Sequence, residues 1–137
     1  MTRPVPPRVT SLPPWKALVA QCRMIEHRSL RSLFAEEPER GRMMAAEGAG
    51  LYLDYSKNLV TGEILRLLLE LARECRLSDH IAAMFRGEHI NRTENRAVLH
   101  VALRMPADRS LVVDGVDVVR EVDEVLDRME TFSRKVR

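Results

Sequence analysis

The sequence predicts a mainly α fold with one short strand and one β-hairpin, and three observations carry that prediction. Apolar residues recur at three- and four-residue intervals through most of the 137 residues. One segment, LYLDYSK at 51–57, instead alternates with period two. Asp114-Gly115, the pair that best tolerates the positive φ angles of a two-residue turn, lies between two valine-rich runs. Hydrophobic residues make up 45% of the chain and charged residues 31%, so the chain resembles a folded domain and not a disordered one. A chain of this length buries roughly two thirds of its unfolded surface, enough for a core.

Five of the 7 prolines (Pro4, Pro6, Pro7, Pro13 and Pro14) crowd the start, so residues 1–14 read as a proline-rich arm and 15–137 as the folded section. Pro14 suits a helix's first turn, where its missing amide has no partner to lose. Trp15, Leu18, Val19, Cys22 and Ile25 then mark one apolar face. Ser29 is the expected cap of a short second helix carrying Leu30, Leu33 and Phe34, which Glu36, Glu37 and Pro38 end. Pro38 starts a further helical piece with Met43 and Met44, before Glu47 to Gly50 break the period. The strand at 51–57 follows. Thr61 caps the next helix, with Glu63 in its first turn and a stripe of Ile64, Leu65, Leu68, Leu71, Ala72 and Cys75 that should be central to the core.

Ser78 is the expected cap of a shorter helix with Asp79 in its first turn, whose buried side carries Ile81, Ala82, Met84 and Phe85 and which stops at Gly87. The run AVLHVAL at 97–103 fits either a buried strand or a buried helix. Thr93 as a cap, and Ala97 and Ala102 as poor strand formers, favour the helix, which Pro106 closes. The hairpin comes next, joining Leu111–Val113 to Val116–Val119. From about Val118 a long final helix presents Val122, Val125, Leu126, Met129, Phe132 and Val136 on its inner face, with acids early and Arg134, Lys135 and Arg137 late, as the helix dipole favours.

Several function classes are disfavoured. The 22 Lys and Arg against 20 Asp and Glu give a net charge of +2 with the signs interspersed, which leaves no electrostatic footprint for nucleic acid. No window reaches the roughly 18 apolar residues of a membrane span, and no secretory leader is visible, so a cytoplasmic protein is expected. Cys22 and Cys75 are expected as buried reduced thiols. His27, His80, His89 and His100 do not form metal-ligand spacing, and no metal is expected. His100, inside an apolar run, reads as a core histidine. No serine sits in GxSxG, neither cysteine has a base beside it, and no phosphate-cradling glycine motif occurs; Gly48 to Gly50 precede a strand instead of opening a helix. Asn91-Arg92-Thr93 matches a glycosylation pattern that has no chemistry without a leader.

The polar cluster from Glu88 to Arg96 is the one place where a site is arguable from residues alone. Its groups either receive a ligand or form a hydrogen-bonded knot; the knot reading makes Arg92, Glu94 and Arg96 internal ion-pair partners. On the last helix, Glu124 with Arg128 and Glu130 with Arg134 stand at pairing distance.

GEHINRTENRAVLHVALR at 87–104 resembles the glucose-6-phosphate isomerase family. So do LYLDYSKN at 51–58, AMFRGEHIN at 83–91 and the block 111–137, all in the family's order. The resemblance runs from about Trp15 to the last residue. It implies the N-terminal section of an SIS-type double α/β/α sandwich isomerase. The complete enzyme is a homodimer that interconverts glucose 6-phosphate and fructose 6-phosphate by acid-base enediol chemistry without a cofactor. The family's catalytic glutamate, histidine and basic group, and its Gly-Ile-Gly-Gly-Ser-type phosphate turn, match nothing in 1–137. The expectation is therefore a section truncated before the phosphate loop, with no catalytic, substrate-binding or metal residues, inactive by itself and meeting a sugar phosphate only within the complete enzyme. Neither nucleic acid nor membrane is an expected partner. An independent helical interaction module derived from the same family is the rival reading. On the principal reading, the apolar faces of the Thr61 and Val118 helices are left uncovered.

Overall fold

Proline fixes where the first helix begins. Pro13 and Pro14 occupy the first turn of α1 (Pro13–Ile25), just after a 3-10 turn at Val9–Ser11. The computed structural model describes residues 8–137; Pro4, Pro6 and Pro7 of the expected arm lie outside them. The chain divides into two units, Met1–Cys75 and Arg76–Arg137.

In the first unit, Ser29 accepts the Ser32 amide proton at 3.1 Å and starts α2 (Leu30–Glu36) as expected. A short α3 (Arg40–Met43) follows. Thr61 caps α4 (Gly62–Glu74) by accepting from the Ile64 amide at 3.3 Å. α1 packs on α4, and Ile25, Leu33 and Ile64 form the core, with Leu18 and Val60 against it. The buried line of α4 is Ile64 and Leu67, whereas Leu68, expected inside, is 43% exposed. The apolar stripe is wider than its neighbours cover. For the same reason Trp15 and Val19 stay partly exposed on α1, and Cys22, expected buried, is exposed. Cys75 is half-buried.

Between α3 and α4 lies a hairpin, β1 (Ala45–Gly48) antiparallel to β2 (Leu51–Asp54), with Glu47 opposite Tyr52 and Ala45 opposite Asp54. β2 matches the front of the predicted strand. β1 was not predicted, because Ala-Ala-Glu-Gly is weak strand material with no alternation. The turn residues Ala49 and Gly50 both take positive φ, 50° and 75°. All four residues of β2 are exposed, so its alternation does not separate an inner from an outer face.

The second unit opens with Arg76 in the left-handed region (φ 53°), followed by α5 (Leu77–Phe85). Ser78 therefore lies inside the helix instead of capping it, and Ile81 and Phe85 are exposed while Ala83 is buried. Gly87 ends α5 as expected. At φ 70° it lets its own amide bond the Met84 carbonyl and the Glu88 amide bond the Ala83 carbonyl, at 3.1 and 3.0 Å. The run at 97–103 is helical but tight, a 3-10 segment at Leu99–Arg104 preceded by an extended Val98 that offers no cap; Thr93 lies in the turn before it. Pro106 holds Met105 extended and stops the segment.

The hairpin β3 (Val112–Val113) and β4 (Val116–Asp117) turns at Asp114-Gly115 with φ 52° and 84°, as predicted. It runs directly into α6 (Val118–Val136). Ala102, Leu111, Val118 and Val119 make this unit's core, with Leu99, Val101, Met105 and Val113 packed on it. Only the first turns of α6 share in that core. The rest of its expected inner face, from Val125 to Val136, is exposed.

Candidate functional site

Three polar or concave features invite a chemical reading. The first is Arg40, whose side chain is 0% exposed. Its guanidinium donates from Nε to the Ser56 carbonyl at 2.8 Å, and from Nη2 to the Asn58 and Val60 carbonyls at 2.9 and 2.6 Å. Nη1 donates to Glu37 at 3.1 Å, and the plane sits 5.9 Å from the Phe34 ring centroid. Local turns aim those carbonyls. The Asp54 carboxylate accepts the Ser56 amide at 2.9 Å, Asn58 donates to Tyr55, and Val60 donates to Asn58, so alternate carbonyls of 56–60 converge. The Ser56 hydroxyl and amide hold the Asp54 carboxyl below its ordinary range. Each of the three guanidinium nitrogens of Arg40 donates within the protein, so the group acts as a structural clamp. Nothing in its neighbourhood in sequence marks it for burial; only Glu37, three residues earlier, hints at a pair.

The second feature is the cluster at 88–96, which the sequence reading places inside. The structure places it outside. Arg92, Glu94 and Arg96 are exposed, and among the described residues neither arginine makes an ion pair. The segment is a tight turn closed by paired backbone bonds of 3.1 Å each way between Asn91 and Arg96. Asn91 accepts the Glu94 amide at 3.3 Å and donates to its carboxylate at 3.2 Å. The expectation fails because water satisfies these groups at no desolvation cost. His89 bridges Asn95 (3.3 Å) and Asp114 (3.0 Å). A histidine between an amide and a carboxylate has the outline of an acid-base pair, yet no nucleophile joins it, and both partners are turn residues at positive φ. It locks two turns together.

The third is a groove of about 580 Å³ in the second unit, between the 3-10 segment and α6. Leu99, Leu103, Val122, Val125, Leu126 and Met129 line it, with His100 and Glu121 the polar groups at its wall. His100, expected in the core, is exposed. No lysine or arginine lines the groove, so it offers a phosphate nothing to pair with; its chemistry suits apolar side chains. Among the described residues no group of three His, Cys, Asp or Glu side chains is placed to hold a metal ion, and no helix is long and apolar enough to cross a membrane.

Asp117, expected among the solvated carboxylates of the last helix, instead organises the start of α6 as its cap. It accepts the amides of Val119 and Arg120 at 3.2 and 3.5 Å, and the Ser110 hydroxyl at 2.7 Å. The Ser110 hydroxyl first, then the amides of Leu111, Arg120 and Val119, hold its carboxyl below the ordinary range. An Asp immediately before a helical period is a capping signal that was available in the sequence. Farther along, Arg120 pairs with Glu124 at 3.2 Å and Arg134 with Glu130 at 2.5 Å. Arg128 donates to the Glu124 carbonyl rather than to its carboxylate, so the expected Glu124–Arg128 pair does not form.

The phosphoglucose isomerase family profile matches residues 54–137. A glucose-6-phosphate isomerase of Deinococcus radiodurans is 58% identical over 130 residues, 95% of this chain and 24% of that protein. Those of Nitrosospira multiformis and Roseiflexus castenholzii are 56% and 57% identical over 129 residues, 94% of this chain and 24% of each. The chain thus spans about a quarter of the length of the curated relatives it matches.

Proposed function

The chain belongs to the phosphoglucose isomerase family, and from that premise we propose that it is the N-terminal section of a glucose-6-phosphate isomerase, supplying packing surface and not reacting groups. The carrying observation is identity of 56% over 94% of the chain with a relative of which this is only 24%. In the proposed whole enzyme, a base moves a proton between C1 and C2 of the open-chain sugar phosphate through an enediol. A cation or a set of amides must also anchor the phosphate. Two observations among the described residues support this reading: the Arg40 guanidinium is committed to the Ser56, Asn58 and Val60 carbonyls and to Glu37, and no lysine or arginine lines the groove. The reading carries with it a cytoplasmic location, a homodimeric whole enzyme and no cofactor.

The exposed stripe of α6 favours a second reading, a helical interaction module drawn from the same family. Two assays separate them. The purified chain, offered fructose 6-phosphate with glucose 6-phosphate formation coupled to a dye, is expected to show no turnover. Co-expressed with the Deinococcus radiodurans relative lacking its matching quarter, it is expected to restore turnover that neither piece shows alone. Activity that follows this polypeptide through purification overturns the first reading. Failure of the pair to recover activity favours the module.

A further inference from the structure

We infer that the 56–60 loop, Glu37 and Phe34 form a receptor for an alkylguanidinium ion, which the chain fills with its own Arg40 and which selects the planar guanidinium over an ammonium of equal charge. The acceptors surround the ligand instead of crowding one end of it. The Ser56 carbonyl takes the proton of Nε, Glu37 takes one from Nη1, and the Asn58 and Val60 carbonyls take those of Nη2, so every nitrogen of the group has a partner. Guanidinium N–H bonds lie in the plane of the ion, so these partners meet its edge, while the Phe34 ring stands 5.9 Å from its central carbon. A guanidinium reaches them all at once with its fixed fork. An ammonium, whose donors radiate from a single nitrogen, satisfies one side of the site and strands the rest.

The receptor is shaped by bonds that do not involve its ligand. Asp54 accepts the Ser56 amide at 2.9 Å, the Tyr55 carbonyl accepts the Asn58 amide at 3.1 Å, and the Asn58 carbonyl accepts the Val60 amide at 2.8 Å. Thr61, the next residue, is fixed as the cap of α4, and the Tyr55 amide bonds the Met44 carbonyl at 3.0 Å, a second tie between the loop and the end of α3. The carbonyls therefore stay aimed at their common centre when the covalent stem of the ligand is cut, and a preformed site costs less to occupy. Glu37 and Phe34 are half-buried, so their side of the site gives a free ion its way in. In the intact chain the tether holds Arg40 at an effective concentration that free guanidinium compounds do not match.

Chemical rescue of the whole chain tests this. Arg40→Ala removes the atoms of N-ethylguanidinium, which makes that ion the probe, and n-propylammonium, the matching piece of a lysine, its control in charge and length. Urea unfolding read by Trp15 is expected to show the folded-to-unfolded ratio of the variant rising about tenfold in about 10 mM ethylguanidinium chloride, as a roughly millimolar dissociation constant requires. Propylammonium is expected to change the ratio less than about twofold, and neither ion is expected to stabilise the wild-type chain, whose site is filled. In the wild-type chain the Nη protons of Arg40 are expected as separate, slowly exchanging nuclear magnetic resonances, where a guanidinium free to rotate gives one averaged signal. Equal rescue by both ions overturns the proposal, because charge alone then suffices. So does a folded variant that ethylguanidinium leaves unchanged, or a wild-type chain stabilised as much as the variant. Should Arg40→Ala stay unfolded at every ion concentration, the wild-type spectrum decides, with separate Nη signals supporting the receptor and an averaged one overturning it. None of these readouts involves isomerase turnover, so the receptor and the functional reading fail separately.

Discussion

In Met1–Cys75 a fully buried guanidinium ties α3 to the 56–60 loop beside a three-residue apolar core, whereas Arg76–Arg137 is held by hydrocarbon around Val119 and by a capping carboxylate. The second unit has arginines too, and Arg92 and Arg96 stand in water on a turn that closes through its own backbone. What separates Arg40 from these two is the supply of acceptors. Three carbonyls and a carboxylate converge on Arg40, enough to replace the water it loses, and no such convergence exists around the others. Charge goes inside only where the fold has assembled its solvation in advance.

The sharpest way to break the contrast is Arg40→Ala, which strands buried carbonyls and empties their centre. A loss of about 3 to 5 kcal/mol is expected for the first unit. Urea unfolding followed by Trp15, the chain's single tryptophan, reads it. Arg40→Lys is expected to fall between the two, since a point charge cannot reach three carbonyls and Glu37 at once.

Next in size is Gly87→Ala in the second unit. A β-carbon there meets Val113 Cγ2 at 2.5 Å and forces an L side chain to φ 70°. A loss of about 2 to 3 kcal/mol is expected, seen as faster hydrogen exchange in α5 and the first turn of α6 with the Trp15 transition unmoved.

A smaller effect is expected from acid. Asp117, with its folded pKa held below the ordinary aspartate range, contributes stability that is complete above that range and is lost as pH falls beneath it through the folded pKa. Asp117→Asn is expected to flatten this dependence in the amides of α6. The first unit keeps its own dependence through Asp54 and Glu63, both lowered, by Ser56 and by Arg66 respectively. Smallest of all, Arg92→Ala and Arg96→Ala are expected to change stability by no more than about 0.5 kcal/mol. A loss comparable to that of Arg40→Ala would mean that the 91–96 turn is a buried knot after all.

The two hairpins show how legibility depends on local chemistry. Asp114-Gly115 announces its turn because both residues accept positive φ at little cost, and the valines on either side announce strands. Ala49-Gly50 makes the same two-residue turn, but alanine is not a residue that signals it, and Ala45 to Gly48 have no strand pattern. Caps divide similarly. Ser29 and Thr61 are legible because a hydroxyl precedes an apolar period, whereas Ser78 misleads because Arg76, at positive φ, starts the helix ahead of it. The burial of Arg40 has little local signal, since only Glu37 lies close and its carbonyl acceptors arrive from sixteen to twenty residues away.

Periodicity, proline and capping chemistry are properties of neighbouring residues, so the order and ends of most helices, the Asp114-Gly115 hairpin and the Gly87 stop follow from the chain alone. Which face of a helix is covered depends on how many neighbours reach it. The amphipathic patterns of α4 and α6 could not say that one buries Leu67 while the other leaves Phe132 in water. Tertiary structure also decided which arginine lies inside, because desolvating a cation is tolerable only where carbonyls distant in sequence have been folded to meet it.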